Sequence, residues 1–227
     1  MIVATLVSLT VVLLFSISYA GVVGSKHDLT GATGGSNFSG GFIGDNNEPC
    51  VYCHTPHGAA AGVQPLWNRN LNTANGFTVY NSTTMDSTPA ATPSQISLLC
   101  LSCHDGVSAI NALINTPGPG SAPLVVVGAS RIGDLGSLAK FVNIGDEDPL
   151  APGQVNLSND HPVSMAWANR GLGFLANPTA PVKLVNGMVE CTSCHDVHNG
   201  TPFTVGGLQF MIRDNTASAI CTSCHTK

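Results

Sequence analysis

Cys50-Val51-Tyr52-Cys53-His54, Cys100-Leu101-Ser102-Cys103-His104, Cys191-Thr192-Ser193-Cys194-His195 and Cys221-Thr222-Ser223-Cys224-His225 decide how this chain is read. They are four copies of one pattern, Cys-x-x-Cys-His, and they consume all eight cysteines of the 227 residues. A disulfide framework shows varied spacings rather than one repeated spacing. A zinc ribbon uses Cys-x-x-Cys pairs but needs no histidine directly after each pair. Thioredoxin-like redox sites do not recur along a chain with a trailing histidine every time.

The pattern is the attachment signature of c-type haem. Two thiols three residues apart reach the two vinyl groups on one edge of a porphyrin, and the next residue lies under the iron as its proximal ligand. Four motifs imply four c-type haems and their iron, held covalently by Cys50, Cys53, Cys100, Cys103, Cys191, Cys194, Cys221 and Cys224. His54, His104, His195 and His225 become the proximal ligands. The remaining four of the eight histidines, His27, His57, His161 and His198, match the number of distal ligands still needed. Bis-His ligation at every iron is therefore expected. The competing distal ligands are Met85, Met165, Met188 and Met211, and methionine would raise the potential.

His57 follows His54 by three residues, and His198 follows His195 by three. Residues three apart on a helix share one face, with Cβ atoms about 5–6 Å apart. Axial ligands must approach an iron from opposite faces, so neither pair can clamp a single iron. Each second histidine should reach a neighbouring haem, and the haems must lie close together. The expected pairings are His198 with the haem on Cys221/Cys224, His57 with Cys100/Cys103 and His161 with Cys191/Cys194. His27 is left for the haem on Cys50/Cys53 or for a haem in another molecule.

The rest of the chain is poor in charge, 9% against about 25% in an ordinary domain. It is rich in turn formers, with 25 Gly and 14 Pro. This excludes a coiled coil, a helical bundle and a charged disordered tail. A net charge of -5 with only eight Lys+Arg argues against a nucleic-acid partner. Ile2–Ile17 is an uncharged apolar run followed by Ser18-Tyr19-Ala20, which reads as a cleavable signal peptide over 1–20, a retained anchor being the alternative. Residues 21–227 then form one exported tetrahaem domain. The expected fold class is a multihaem cytochrome c, mostly loops with short helices at the haem motifs and a few short strands, the haems forming the core. A loop is expected over Gly31–Gly44 and a turn-rich hinge over Thr116–Pro123, while Asn70–Pro93 is rich in Asn, Thr and Ser. Short strands are expected at Leu124–Gly128 and Pro181–Val189, with Asn186-Gly187 as a hairpin turn. Helices are expected over Gln95–Cys103, Asp105–Ile114 and Ala217–His225. Trp67 and Trp167 are candidates for packing on porphyrin faces or for ordinary buried aromatics. Asn37, Asn81, Asn156 and Asn199 lie in glycosylation sequons.

Several segments sharpen the reading: Ser25-Lys26-His27-Asp28-Leu29, Cys53-His54-Thr55-Pro56-His57, Cys103-His104-Asp105-Gly106 and Asn159-Asp160-His161-Pro162. Together the chain resembles the tetrahaem subunits of extracellular cytochrome filaments, or cytochrome nanowires. The resemblance implies a loop-dominated subunit, a homopolymer with a continuous chain of haems, and an axial histidine donated across the subunit interface. His27 is the matching position for that donor. The implied function is electron transfer, not enzymatic catalysis, at the cell surface or outside it. Redox proteins or extracellular minerals would be the electron donors and acceptors. The alternatives are a soluble periplasmic tetrahaem shuttle and a multihaem oxidoreductase, the latter requiring an iron with an open coordination position.

Overall fold

The computed structural model describes residues 21–23, 25, 27–29, 48–73, 76–109, 112–115, 144–149, 151–169, 171–199 and 210–226. The expected signal peptide, the Gly31–Gly44 loop, the Thr116–Pro123 hinge and the Leu124–Gly128 strand lie outside these residues. Among the described residues the chain is mostly loop, with two helices, five strands of two or three residues and a few 3-10 turns. No helix among them is long and apolar enough to cross a membrane.

Helix α1, Gln95–His104, carries the second motif in its last turns. It buries Ser97, Leu98, Leu101 and Ser102 along one face, the i, i+4 pattern of an amphipathic helix. It ends abruptly. Gly106 takes φ +76°, and Asp105 accepts the N–H groups of Val107 at 3.0 Å and Ser108 at 2.6 Å. A left-handed glycine just past the last turn stops a helix, and an aspartate capturing the next amides offers the backbone another conformation. The expected helix over Asp105–Ile114 is therefore absent from the described part of that segment, which turns instead.

The C-terminal carbonyl of α1 is satisfied from elsewhere in the chain. His104 O accepts from Ile144 N at 3.1 Å and Gly145 N at 2.9 Å. A Cβ on Gly145 would meet Val155 at 2.5 Å and the Asp105 carbonyl at 2.9 Å, so this approach needs glycine. Beyond it lie β1 (Phe77–Val79), β2 (Asp146–Glu147) and β3 (Val155–Leu157). They form a sheet in the order β1-β3-β2, with β1 and β3 parallel and β2 and β3 antiparallel. Its inner face meets α1 in a small core of Phe77, Leu98, Leu101, Val155 and Leu157. Each such side chain contributes roughly 1.5–3 kcal/mol on burial, so the second motif is mounted on the firmest apolar contact described.

A second pairing joins β4 (Met165–Ala166) to β5 (Met188–Val189). Val185 and Met188 exchange two hydrogen bonds of 2.9 Å around Asn186 (φ +52°) and Gly187 (φ +76°). Two successive positive φ values make the I′ turn favoured in hairpins, as Asn-Gly predicts. The expected strand over Pro181–Val189 is cut to its last two residues, because the turn falls inside it. Helix α2, Cys191–Cys194, follows directly and packs on α1. The expected helix over Ala217–His225 resolves into 3-10 turns at Thr216–Ser218 and Cys221–Ser223. Asp214 takes the Thr216 N–H at 3.1 Å, and Ala217 and Ser218 adopt φ +53° and +61°, which no continuous helix allows.

Candidate functional site

All sixteen predicted site residues lie among the described ones, and all eight cysteines are free thiols. Three motifs close with the same bond, from the histidine N–H to the carbonyl of the first cysteine. It runs from His54 to Cys50 at 2.8 Å, from His195 to Cys191 at 3.0 Å and from His225 to Cys221 at 2.9 Å. The fourth case is the last turn of α1. One helical turn places residues i, i+3 and i+4 on one face. Both sulfurs and the imidazole therefore share a side, and the residue before the second cysteine turns inward. Tyr52, Ser102, Ser193 and Ser223 are 4%, 1%, 1% and 0% exposed, which fits that geometry.

These inward residues anchor the motifs to the rest of the chain. Trp67 Nε1 donates to Ser102 Oγ at 3.2 Å. Asn68 Nδ2 donates to Val51 O at 2.7 Å and Asn68 N to Cys53 O at 2.8 Å. Arg69 donates through Nε and Nη2 to Ser102 O at 3.1 and 2.9 Å. Three consecutive residues thus stitch the first motif to the second. Glu190 joins the second to the third: its Oε2 accepts from Ser97 Oγ on α1 at 2.5 Å and from Ser164 Oγ at 2.9 Å. Cys191 N donates to Ser97 Oγ at 3.2 Å. The neighbouring Cys191 thiol, and then burial, push the Cys100 pKa well up. In the fourth motif Arg213 Nη1 donates to Ser223 Oγ at 2.8 Å.

The histidines come together across motifs. His54 and His198 have ring centroids 6.2 Å apart with planes 19° from parallel. His27 and His104 have centroids 5.9 Å apart. Burial, and then the charge of His161, lowers the His225 pKa, and the ring that touches His225 is Phe174. These partners differ from the expected ones. His198 meets His54 rather than the fourth motif, and His27 meets His104 rather than the first. The stitching explains the difference, since chain order does not follow the order in which loops are hydrogen-bonded together. The segment around His27 packs on later parts of its own chain: Gly21 N donates to His198 O at 2.9 Å, and Phe210 stacks on His27 at 4.6 Å. No other histidine ring lies against His57 or His195 among the described residues. Met211, one of the methionine alternatives, is held beside His195 by a backbone bridge.

At His27, His195 and His225 the surroundings favour the neutral imidazole. Burial, with His104, His195 and His198 adding to it, lowers the His27 pKa to about 4. Burial and then His104 lower that of His195, although the residue keeps an exposed edge. Neutral imidazole is the metal-binding form. His54 Nδ1 lies 2.8 Å from Pro65 O and His161 Nδ1 3.0 Å from Pro162 O, so a proton on Nδ1 is bonded and Nε2 is left as the ligating atom. Burial pushes the Cys53 thiol up to about 12 and the Cys194 thiol up to about 11. Trp67 stands edge-on to His54 at 5.6 Å, and Trp167 contacts Phe174, which in turn lies 4.5 Å from the His225 ring. Sequence reading missed Arg69, Glu190, Phe210 and Asn68. Only Glu190, a rare charge directly before a motif cysteine, carried a signal.

The donor set fits a c-type haem. Two imidazoles on opposite sides of one metal sit roughly 6–6.5 Å apart between centroids, from two metal–nitrogen bonds of about 2.0–2.1 Å plus half a ring on each side. The His54–His198 separation of 6.2 Å falls in that range, and the His27–His104 separation of 5.9 Å lies just under it. Residues 183–227, which hold the last two motifs, match the family described as "Doubled CXXCH motif". No curated protein matches the chain. The motifs indicate covalently bound c-type haem, and the matched family supports a multihaem, cytochrome c-like protein whose relatives generally transfer electrons.

Proposed function

We propose that the protein transfers electrons through four covalently bound c-type haems, each iron held by two histidines. What supports the reading is the meeting of histidines from different motifs at separations that suit one metal. When bound, haem supplies one-electron chemistry at iron. The eight cysteines tether it, and His54, His104, His195 and His225 approach from the motif side. His198, His27 and His161 approach the first, second and fourth sites from distant parts of the chain. Two imidazoles on an iron leave no open position for substrate, so we read an electron carrier rather than an enzyme.

We read the carrier as a subunit of an extracellular conductive filament. Among the described residues no other histidine ring lies against His57 or His161, nor against the motif histidines His195 and His225. His57 is exposed on a fixed loop, its carbonyl bonded by Thr55 Oγ1 and Asn115 Nδ2 at 2.9 Å each. A histidine presented outward and an iron short of one ligand complement each other between two copies of the chain. We therefore assign the donor to His57 in place of His27. A discrete periplasmic carrier is the second reading, favoured by the engagement of His27 within its own chain.

Cryo-electron microscopy of the secreted, haem-staining fraction, at a resolution that shows axial ligands, tests both. Filaments with His57 on the iron of the next subunit are expected. Discrete particles with every ligand from one chain would leave the periplasmic carrier. An iron with an open face would overturn the carrier reading.

A further inference from the structure

Arg69 is 2% exposed, a rare placement for a cation. It lies between two attachment sites. Its neighbour Asn68 is bonded to Val51 and Cys53 of the first motif, and its own guanidinium grips Ser102 O of the second, with Ala109 O accepting from Nη2 at 2.6 Å. Guanidinium stays protonated throughout the accessible pH range. A fixed buried charge acts through a low dielectric and is little screened by salt.

We infer that Arg69 sets the reduction potentials of the haems on Cys50/Cys53 and Cys100/Cys103, holding both above the values they would have without its charge. The inference rests on the haem-carrier reading above. One-electron reduction of ferric iron removes one positive charge from the site, and no bond or proton need move, so a nearby fixed cation favours the reduced form. The guanidinium is fixed on the carbonyl directly before Cys103, and its neighbour Asn68 N on the Cys53 carbonyl at 2.8 Å, so it stands beside both attachment sites. Buried Asp105, directly after His104, opposes it at the second site, so the Cys50/Cys53 haem should respond more. Among the described residues Arg69 is the buried cation, and the buried charge directly before the third motif, Glu190, is of opposite sign. Arg213, at Ser223, is only half-buried and hence more open to screening.

The test is a potentiometric titration of the full haem-loaded protein with a chemical one-electron reductant and mediators. Electron paramagnetic resonance would resolve the individual low-spin haems. For Arg69→Gln, two of the four transitions should fall, by about tenfold in the reduced-to-oxidised ratio, which is about 59 mV for a one-electron couple. Arg69→Lys, which keeps a cation, should restore most of the shift. Ala112→Asp removes none of the Arg69 bonds to Ser102 O and Ala109 O and places a carboxylate on the exposed wall of the cavity beside the guanidinium. It should lower the same two transitions, and it decides the matter if Arg69→Gln fails to fold. Unmoved transitions, or an equal shift of all four, would overturn the inference. Absence of haem from the wild-type protein, read as the pyridine haemochrome, would overturn the carrier reading itself.

Discussion

Replacing Glu190 with alanine should loosen the joint between the second and third motifs. The carboxyl is 1% exposed, and its Oε2 takes hydroxyl bonds from Ser97 on α1 and Ser164 before β4. Its own N–H donates to Ser193 Oγ on α2 at 3.0 Å, and that bond survives the change. Two hydrogen bonds to a carboxylate at roughly 1.5–3 kcal/mol each give a gross loss of about 3–6 kcal/mol. Oε1 has no hydrogen-bond partner, so removing it returns about 1–3 kcal/mol of desolvation. The net expectation is a loss of about 2–3 kcal/mol. Guanidinium unfolding of the haem-loaded protein, followed by Soret circular dichroism, would measure it. With a slope of about 4–6 kcal/mol per molar for a chain of this size, the midpoint should fall by about 0.5 M. Glu190→Gln, which keeps the shape and offers an amide donor at the unpartnered position, should cost less than half as much. Hydrogen exchange should quicken in α1 and α2 together. A midpoint within about 0.1 M of wild type, or exchange that changes in α2 alone, would refute the idea that this carboxyl clamps the two helices.

Other outcomes follow from the same geometry. His198→Ala should leave the haem content unchanged but convert one low-spin haem signal to high spin, because His54 loses the imidazole facing it at 6.2 Å; an unchanged spectrum would remove that pair. His57→Ala should yield a folded, fully haem-loaded subunit that no longer forms filaments, checked by negative-stain microscopy and sedimentation. Leu101→Ala, at 3% exposure in the α1–sheet core, should cost about 2–5 kcal/mol in the same unfolding assay. Leu172→Ala, at 99% exposure, should stay within about 0.5 kcal/mol of wild type.

The attachment chemistry is legible in the sequence because it is local. A Cys-x-x-Cys-His turn presents its sulfurs and imidazole on one face wherever it occurs, and the closing bond of His54, His195 and His225 repeats accordingly. Turn chemistry at Asn186-Gly187 is legible for the same reason. The distal partners are not, because they depend on which loops are stitched together. His27 and His104 are 77 positions apart (104 minus 27), and nothing in their immediate neighbours encodes the contact. Helix ends were misread where a short polar side chain captured the next amides, as Asp105 does beyond α1 and Asp214 before the last motif. Low charge and many glycines and prolines correctly indicate sparse regular structure, since few segments can bury a continuous apolar face.

The buried charges make a separate argument for where function lies. In a chain with 9% charged residues, the buried charged side chains among the described residues are Asp28, Arg69, Asp105 and Glu190. Asp28 follows His27, Asp105 follows His104, Glu190 precedes Cys191, and Arg69 grips Ser102 inside the second motif. Burying an ion costs several kcal/mol, and replacing a buried ion pair by apolar groups is often neutral or stabilising. Stability alone would therefore have left such charges on the surface. On the haem-carrier reading proposed above, their confinement to the edges of motifs and candidate ligands places fixed charges beside the groups that would change charge. The His27–His104 pair, with a buried aspartate directly after each histidine and Arg69 bonded to the same helix, is where opposing fields meet most closely. Substitutions at these four positions should move potentials more than they move the haem count.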